Sequence, residues 1–254
     1  MASVIRNVAI IMAMKQEAQP FIEEFEFEKI NPFDQQLPME AFTIRRNNLN
    51  ITVVINGRDK NLHLDCVGTQ PATLAAFLTV KHFAPDLIVN AGTAGAFMEY
   101  GSQIGDVYLS HTTIQYHDRR IPIPGFDRYG MGNYPCLNVS NMAKALGIKL
   151  GNVSTGNSLD IVPTDLLFMK TTPPPILKEM EAAAIAWVAQ MYQIPFIAVK
   201  SVTDLIDNDQ AVQEEFIENL AIAANNLKKK LIRIVEYLEN KTIQDLWGCL
   251  QLCC

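Results

Sequence analysis

Cysteine is scarce in this sequence, with five residues among 254, and its spacing excludes two classes of protein. Cys66 and Cys136 stand alone, while Cys249, Cys253 and Cys254 crowd the end of the chain. The pattern is too sparse for a disulfide framework, and no CxxC pair is joined to a second pair or to spaced histidines, as a zinc site requires. We therefore expect a reducing compartment, no bound metal and a frayed C-terminal tail, with lipidation of the last two cysteines as the alternative.

Positive charge and long apolar runs are also in short supply. Lys and Arg number 21 against 27 Asp and Glu, so the net charge is −6, and the densest basic run is Lys228-Lys229-Lys230. Nucleic-acid binding needs clustered cations, which argues against such a partner, and the basic run is read as a solvated helix face. No run reaches the roughly 20 apolar residues of a membrane span, and the N-terminus lacks a signal-peptide pattern. We expect a soluble, cytoplasmic protein with no membrane partner.

Apolar residues make up 49% of the chain, which is enough for a sizeable core. Short continuous runs such as VAIIM and DLIVN are typical of strands buried on both faces, and longer amphipathic segments lie between them. The predicted strands are 8–12, 41–45, 51–55, 86–90, 106–109 with an extension towards 116, 152–155 and 195–202, and the predicted helices are 15–25, 62–83, 176–192 and 212–238. This order predicts one α/β domain over residues 1–240, with a central mixed β-sheet flanked by helices, and a tail over 241–254.

Acidic side chains follow two of the predicted strands. Glu17 follows the strand at 8–12 and Asp204 follows the strand at 195–202, while a glycine-containing turn at 91–95 follows a third strand. Ligands of α/β sheets bind beyond the carboxyl ends of the strands, where these residues would meet. Unpaired carboxylates do not collect at one apolar cleft without a use, so these strand ends predict the functional site.

Each acid also has a plain structural explanation. Glu179 and Glu181 would open the predicted helix at 176–192, directly after three prolines, and the helix dipole alone favours acids in a first turn. Glu17 is open to the same explanation. Three aspartates after the strand at 195–202 could cap a following helix: Asp204, Asp207 and Asp209.

Six segments in order carry a resemblance to a known family. They are AMKQEA at 13–18, NAGTAG at 90–95, GDV at 105–107, YHD at 116–118, EMEA at 179–182 and TD at 203–204. Over about residues 5–240 the chain resembles the nucleoside phosphorylase superfamily, and within it the methylthioadenosine/S-adenosylhomocysteine nucleosidase branch. HDRRIPIP at 117–124 and STGNSLD at 154–160 are similar to the plant-type enzymes.

This resemblance implies a fold and an activity. The fold would be nucleoside phosphorylase-like. The reaction would be hydrolysis of 5′-methylthioadenosine to adenine and 5-methylthioribose in methionine salvage, with S-adenosylhomocysteine as a possible second substrate. A homodimer is implied as well. No metal or organic cofactor is expected, because the reaction needs only acids and water.

The resemblance also implies residue roles. Asp204 would be the general acid that protonates N7 of adenine, Glu17 the general base that orients the attacking water, and Glu181 an acceptor for the ribose hydroxyls. The other substrate contacts would be Thr93 and Ala94 on the ribose side, Leu159 and the backbone near Asp160 facing the adenine, Met180 against the sugar, Phe216 at the 5′-alkylthio pocket, and Lys178 and Glu179. Adenine leaves poorly until it is protonated, and an Asp with an ordinary pKa of about 4 keeps a proton only when it is buried or lies beside another negative charge.

Two other functions stay open at this point. A phosphorylase of the superfamily needs a cationic phosphate cradle, whereas this chain has MKQE at 14–17, and a carboxylate there repels a phosphate dianion. Arg58 could still bind phosphate, although a turn residue or an ion-pair partner is the plainer interpretation. A catalytically silent nucleoside-binding or storage relative is the third option, but such a protein should lack an acid, and all three acids are present.

Two places depart from the family pattern. Asn157 stands where an aspartate is expected in the adenine-facing segment. Asn keeps the hydrogen-bond acceptor and loses the charge, which bears on the stability of the loop and on base selectivity. The stretch at 161–175, with three consecutive prolines, is the second departure. His117 is interpreted as a structural hydrogen-bonding residue and is assigned no chemistry.

Overall fold

The computed structural model describes residues 3–171, 176–208 and 212–247. Within these ranges the chain forms ten strands and seven α-helices. The strands are β1 (Asn7–Met12), β2 (Glu28–Ile30), β3 (Glu40–Arg46), β4 (Leu49–Ile55), β5 (Leu87–Ala96), β6 (Val107–Tyr116), β7 (Tyr134–Pro135), β8 (Lys149–Thr155), β9 (Ile176–Glu179) and β10 (Phe196–Leu205). The helices are α1 (Lys15–Glu24), α2 (Thr69–Phe83), α3 (Phe126–Met131), α4 (Ser140–Leu146), α5 (Pro163–Thr171), α6 (Ala182–Met191) and α7 (Val212–Leu238). The predicted α/β class with a mixed sheet is confirmed.

The N-terminal part of the sheet is open. β1 lies between two parallel neighbours, so that Ile10 is opposite Val53 of β4 and Val89 of β5. β3 and β4 form an antiparallel hairpin, and β2 pairs with β3 at the outer edge. Every residue of β1 after Asn7 is buried, because helices cover both faces of this strand. That explains why its sequence is a continuous apolar run.

The C-terminal part of the sheet closes on itself. β5 pairs in parallel with β10 and in antiparallel with β9, and the ring is completed by the pairs β9–β8, β8–β6 and β6–β10. β1, β5 and β10 are parallel neighbours, so their carboxyl ends meet at one edge of the sheet. This edge is where the sequence predicted the site to lie.

The segment predicted as a turn at 91–95 is instead part of a strand. β5 continues through it to Ala96 and pairs there with β10 and β9. Glycines in a strand interior often mark the close approach of another group, and a Cβ at Gly95 would lie 2.4 Å from Oδ2 of Asp204. The glycines therefore leave room for side chains of the site.

The predicted helix at 176–192 is also wrong in its first turn. Ile176–Glu179 form β9, and α6 begins only at Ala182. The chain can bury the charged half of this strand because Glu179 pairs with a lysine from β10, a partner that sequence periodicity does not reveal. Similarly, the helix predicted from residue 62 begins at Thr69.

Helices cover the sheet on both faces. On one face α1 and α7 pack against the sheet, with Phe21, Leu227 and Leu231 fully buried. On the other face α2 and α6 lie against the sheet, and the run from Ala182 to Ala186 supplies small side chains that allow α6 to approach closely. Two apolar cores result, and they hold the strand ends rigidly in place.

Residues after α7 pack onto the domain up to the last one described. A 3-10 helix at Ile243–Leu246 packs near α4 and buries Leu246 in the core, and Val4 forms a bridge with Thr242. The predicted tail thus includes packed residues at 241–247, and Cys253 and Cys254 lie outside the described residues. Within the described ranges, no helix combines the length and the apolar character that crossing a membrane requires.

Candidate active site

A cavity of about 260 Å³ opens at the carboxyl ends of β1, β5 and β10. Its floor is formed by strand residues, and its sides by the first turn of α1, the end of β9 and the start of α7. The lining residues are Ala13, Met14, Glu17, Val67, Thr93, Ala94, Gly95, Leu159, Lys178, Glu179, Met180, Glu181, Thr203, Asp204 and Phe216. An apolar cavity with a few convergent polar groups is the usual form of a small-molecule site.

Glu17 is the third residue of α1 and is 4% exposed. Its Oε1 accepts hydrogen bonds from the backbone N–H and from Oγ1 of Thr93, both at 2.7 Å, and its Oε2 accepts from the N–H of Met14 at 3.3 Å. Burial raises the pKa of Glu17, and the Thr93 donors and the nearby Lys200 ammonium oppose that rise. Three donors and a cation favour the carboxylate, which is the form a general base needs.

Asp204 lies near the end of β10, just after a bulge in the pairing with β5. It is 3% exposed, and Oγ1 of Thr203 donates a hydrogen bond to its Oδ1 at 2.8 Å. Burial raises the pKa of Asp204 to about 6, against the lowering effects of Thr203 and Lys178. A carboxyl group with this pKa is poised to hold and release a proton near neutral pH.

Glu181 is the N-cap residue of α6 and is buried between two other acids. Its Oε1 accepts a hydrogen bond at 2.8 Å from the N–H of Gly68, the residue before α2. Burial, followed by the negative charge of Glu179, raises the pKa of Glu181 to about 7. The Glu181 carboxyl group therefore lines the cavity and takes up a proton at a higher pH than an ordinary glutamate does.

Glu179 also lines the cavity, but its carboxylate is taken up by protein groups. It forms an ion pair at 2.8 Å with Lys200, and both side chains are almost fully buried. It also accepts hydrogen bonds from the N–H groups of Glu181 and Ala182 and from Oγ1 of Thr155. Burial alone would raise the pKa of Glu179, but the Lys200 ammonium and these donors hold it below its ordinary value.

Most of the residues proposed from the sequence come together in one cavity. Of these proposed residues, all except Asp160 line this one cavity, and Asp160 lies exposed on the neighbouring loop. Five lining residues were missed as substrate contacts: Ala13, Met14, Val67, Gly95 and Thr203. Val67 was hidden because the segment before Thr69 was assigned to a helix. Gly95 could have been found from its position in a buried strand.

The structure shows what Asn157 and Arg58 contact, which the sequence did not indicate. Oδ1 of Asn157 accepts hydrogen bonds from the N–H and Oγ1 of Thr69, at 3.0 and 2.9 Å, at the start of α2. Its own N–H donates to Oδ2 of Asp118 at 2.7 Å. Arg58 is exposed, its guanidinium donates to the carbonyl of His63, and it lies outside the lining of this cavity.

The competing helix-cap explanations are also resolved in part. Asp204 belongs to β10 and caps no helix, whereas Asp207 accepts hydrogen bonds from the N–H groups of Met98 and Glu99 and so caps a 3-10 helix. Asp209 lies outside the described residues, as do the three prolines before β9. Glu17 serves both as an acid in a first helical turn and as a cavity residue.

The arrangement is suited to acid–base chemistry on a neutral organic ligand. Three carboxyl groups with raised pKa values converge on one small cavity. Among the described residues that line it, Lys178 is the sole cation, and its ammonium is bound to the carbonyls of Ser158 and Leu159. The site can therefore give and take protons and stabilise positive charge, but it offers little to a dianion.

Comparisons with known proteins agree with this geometry. Residues 7–236 match the family model described as the phosphorylase superfamily. The 5′-methylthioadenosine/S-adenosylhomocysteine nucleosidase of Arabidopsis thaliana is 39% identical over 244 residues, which is 95% of each chain. The apo structure of the 5′-methylthioadenosine nucleosidase of the same organism superposes with a TM-score of 0.93 at 38% identity, covering 96% of this chain and 100% of that one. The chain therefore belongs to the phosphorylase superfamily and, within it, to the 5′-methylthioadenosine/S-adenosylhomocysteine nucleosidases.

Proposed function

We propose that this protein hydrolyses the N-glycosidic bond of 5′-methylthioadenosine, releasing adenine and 5-methylthioribose as a step of methionine salvage. S-adenosylhomocysteine, which shares the adenosine thioether, is proposed as a second substrate. The observation that carries this proposal is the pair of buried carboxyl groups, Glu17 and Asp204, which share one cavity but differ in their hydrogen-bonding partners. The family to which the chain belongs supports the same reaction.

Asp204 acts on the leaving group in this proposal. Burial keeps its carboxyl group protonated at mildly acidic pH, so it can donate to N7 of adenine as the glycosidic bond breaks. A neutral adenine is a far better leaving group than its anion. Such general acid catalysis typically contributes about 10²- to 10⁴-fold to the rate.

Glu17 acts on the water, and Glu181 acts on the sugar. The bonds from Thr93 hold the Glu17 carboxylate in one orientation, from which it can align a water against the anomeric carbon and accept its proton. Departure of the base leaves a positively charged, oxocarbenium-like ribose, which nearby carboxylates stabilise. Glu181 accepts hydrogen bonds from the ribose hydroxyls, and Met180 packs against the sugar. Phe216 from α7 closes the end of the cavity that holds the 5′ substituent.

The variants Glu17→Gln and Asp204→Asn test these roles. Both should lose nearly all adenine release, followed by the absorbance change at the purine band, while they still bind a substrate analogue in calorimetry. Glu24→Gln is the matched control, since Glu24 is an exposed carboxylate on the same helix as Glu17. Near-normal turnover in either site variant would remove its assigned role. A wild-type protein that binds the nucleoside without releasing adenine would instead be a silent relative.

Phosphate dependence separates hydrolysis from phosphorolysis. The cavity carries acids where a phosphorylase needs cations, and Arg58 is exposed and bound to a backbone carbonyl outside it. We expect full activity in phosphate-free buffer, with 5-methylthioribose as the sugar product. A strict requirement for phosphate, with the sugar 1-phosphate as product, would contradict hydrolysis.

A homodimer is part of the proposal. α2, α6 and the residue after α6 present neighbouring apolar side chains to solvent, among them Phe77, Trp187 and Tyr192, and the Phe77 and Tyr192 rings lie 6.5 Å apart. Exposed apolar patches of this kind support an interface between subunits. Light scattering after gel filtration should give twice the mass of the chain, and a monomer at assay concentrations would contradict it. The free thiols of Cys66 and Cys136 support the proposed cytoplasmic location.

A further inference from the structure

Lys178 is a buried lysine whose position near the acids calls for an explanation. It lies on β9 and is 6% exposed, so its ammonium is largely removed from water. Burying a charge is unfavourable unless partners compensate it, and burial indeed lowers the pKa of Lys178. The burial of this charge therefore has to be offset by the groups around it.

The ammonium group is bound to one loop. It donates hydrogen bonds to the carbonyl oxygens of Ser158 at 2.6 Å and of Leu159 at 2.7 Å. Both residues belong to the exposed segment 157–160, which follows β8 and borders the cavity through Leu159. Charge-assisted hydrogen bonds are about twice as strong as neutral ones, so Lys178 ties this loop to the rigid sheet.

The same ammonium lies close enough to Asp204 to affect its charge. The Lys178 charge lowers the pKa of Asp204, opposing the effect of burial. The other acids that face Lys178 are Asp160 on the loop, Asp165 on α5 and Glu179 on β9. His117 also faces it, and Glu215 on α7 faces Asp204.

We propose that Lys178 is a positioning residue for the leaving group, which holds the 157–160 loop against the purine and places a positive charge in the cavity that Asp204 also lines. This inference rests on the proposed hydrolysis. It adds a cationic group that acts through the loop and through Asp204.

The variant Lys178→Met tests both parts, because Met has a similar length and shape without charge or donors. Without the ammonium, Asp204 should keep its proton to higher pH. Since Asp204 works in its protonated form, the falling alkaline limb of kcat/KM should move upward by about half a pH unit or more. Loss of the loop anchor should raise KM by about tenfold.

Two further variants keep the test decisive. Lys178→Gln removes the charge but retains amide donors, so it should move the alkaline limb as Met does while raising KM less. It also carries the test if Lys178→Met does not fold. Lys149→Met is the matched control, because Lys149 forms an exposed ion pair with Asp106 away from the cavity, and its profile should coincide with wild type.

Hydrogen exchange of the apo protein provides a readout that does not depend on activity. Amides at 157–162 should exchange about tenfold faster in Lys178→Met than in wild type. An alkaline limb that stays in place in both neutral variants, or unchanged exchange of the loop, would overturn the inference. An inactive wild-type protein with faster loop exchange in Lys178→Met would instead contradict the proposed function and leave the anchoring of the loop supported.

Discussion

Glu181 shows how much electrostatic strain a single side chain carries in this site. Its carboxyl group is buried beside Glu179, and its pKa stands at about 7, above the ordinary value for glutamate. A carboxyl group whose pKa is raised on folding stabilises the protein at low pH, and this contribution is lost as pH rises through the folded-state value. The residue is thus a source of instability above neutral pH.

The variant Glu181→Gln should therefore be more stable than wild type at pH 8. The uncharged amide removes the buried negative charge and can still accept the hydrogen bond from Gly68. The gain in the free energy of unfolding should be about 3 kcal/mol at pH 8 and about 1 kcal/mol at pH 5, because pH 5 lies less than one unit above the pKa of a glutamate in the unfolded chain. Urea titrations of wild type and variant at both pH values measure this gain in stability. An equal gain at pH 5 and pH 8 would contradict the raised pKa of Glu181.

Sequence reasoning succeeded for residues whose position follows from a strand end. Glu17 and Asp204 follow separate buried strands and match separate motifs, so the sequence alone was enough to place both at the site. Lys200 could not be placed in this way, because a lysine inside an apolar strand gives no sign of the glutamate that neutralises it. Asp160 lies outside the cavity lining, because motif similarity does not say which members of a loop face inward.

At the level of elements, β5 depends on glycine to admit Asp204. The nearest atom to a Cβ at Gly95 would be Oδ2 of Asp204 at 2.4 Å, whereas at Gly92 it would be Oε1 of Glu17 at 3.3 Å. Gly95→Ala should displace the Asp204 carboxyl group and lower kcat/KM by about 100-fold, since small misplacements of catalytic groups have effects of this size. Gly92→Ala should cause a smaller loss, and the reverse order would contradict this account.

Asn157 joins the 157–160 loop to the start of α2. Its side-chain oxygen serves the N–H of Thr69 as an N-cap residue would, although it comes from a distant part of the chain. Asn157→Ala should lower the free energy of unfolding by about 1 kcal/mol, which chemical denaturation can measure. Asn157→Asp keeps the acceptor oxygen, so its free energy of unfolding should stay within about 0.5 kcal/mol of the wild-type value. A loss of stability in Asn157→Asp as large as in Asn157→Ala would show that the acceptor oxygen does not stabilise the protein.

The bounds of helices and strands were predictable only where burial determines the pattern of apolar residues along the sequence. The strand at 8–12 and the helix Val212–Leu238 agree with the structure closely, because the strand is a short continuous apolar run and the helix keeps one apolar period along its length. β9 was taken for helix because Ile-Leu-Lys-Glu is too short to show a period and precedes a true helix without a glycine. Its assignment depends on pairing with β5 and β8, which are distant in sequence.

For the whole molecule, the Lys200–Glu179 pair links two strands of the closed ring through its interior. Lys200→Met would leave Glu179 buried without a counter-charge, and removing one partner of a buried pair typically costs about 3–5 kcal/mol. The loss should be larger at pH 8 than at pH 5, because at pH 5 the unpaired Glu179 can take up a proton. Thermal or chemical unfolding at the two pH values checks this, and Glu179→Gln in the same chain should recover part of the loss.

The fold class was predictable from the order of strands and helices, but the closed ring was not. Alternating β and α segments specify a layered α/β domain, whereas ring closure depends on strand neighbours that are far apart along the chain. The site was predictable to the extent that it sits at the open carboxyl ends of β1, β5 and β10, which the α/β rule anticipates.

The ring also has a consequence for how the chain is made. Ile88 of β5 pairs with Phe196 of β10, more than a hundred residues later. A chain emerging from the ribosome can form the open sheet early, but one edge of β5 stays unpaired until β9 and β10 have been synthesised. Such long-range pairing slows folding and exposes a strand edge to other chains in the meantime. Nascent or truncated forms that end before residue 205 should therefore depend on chaperones and aggregate readily without them.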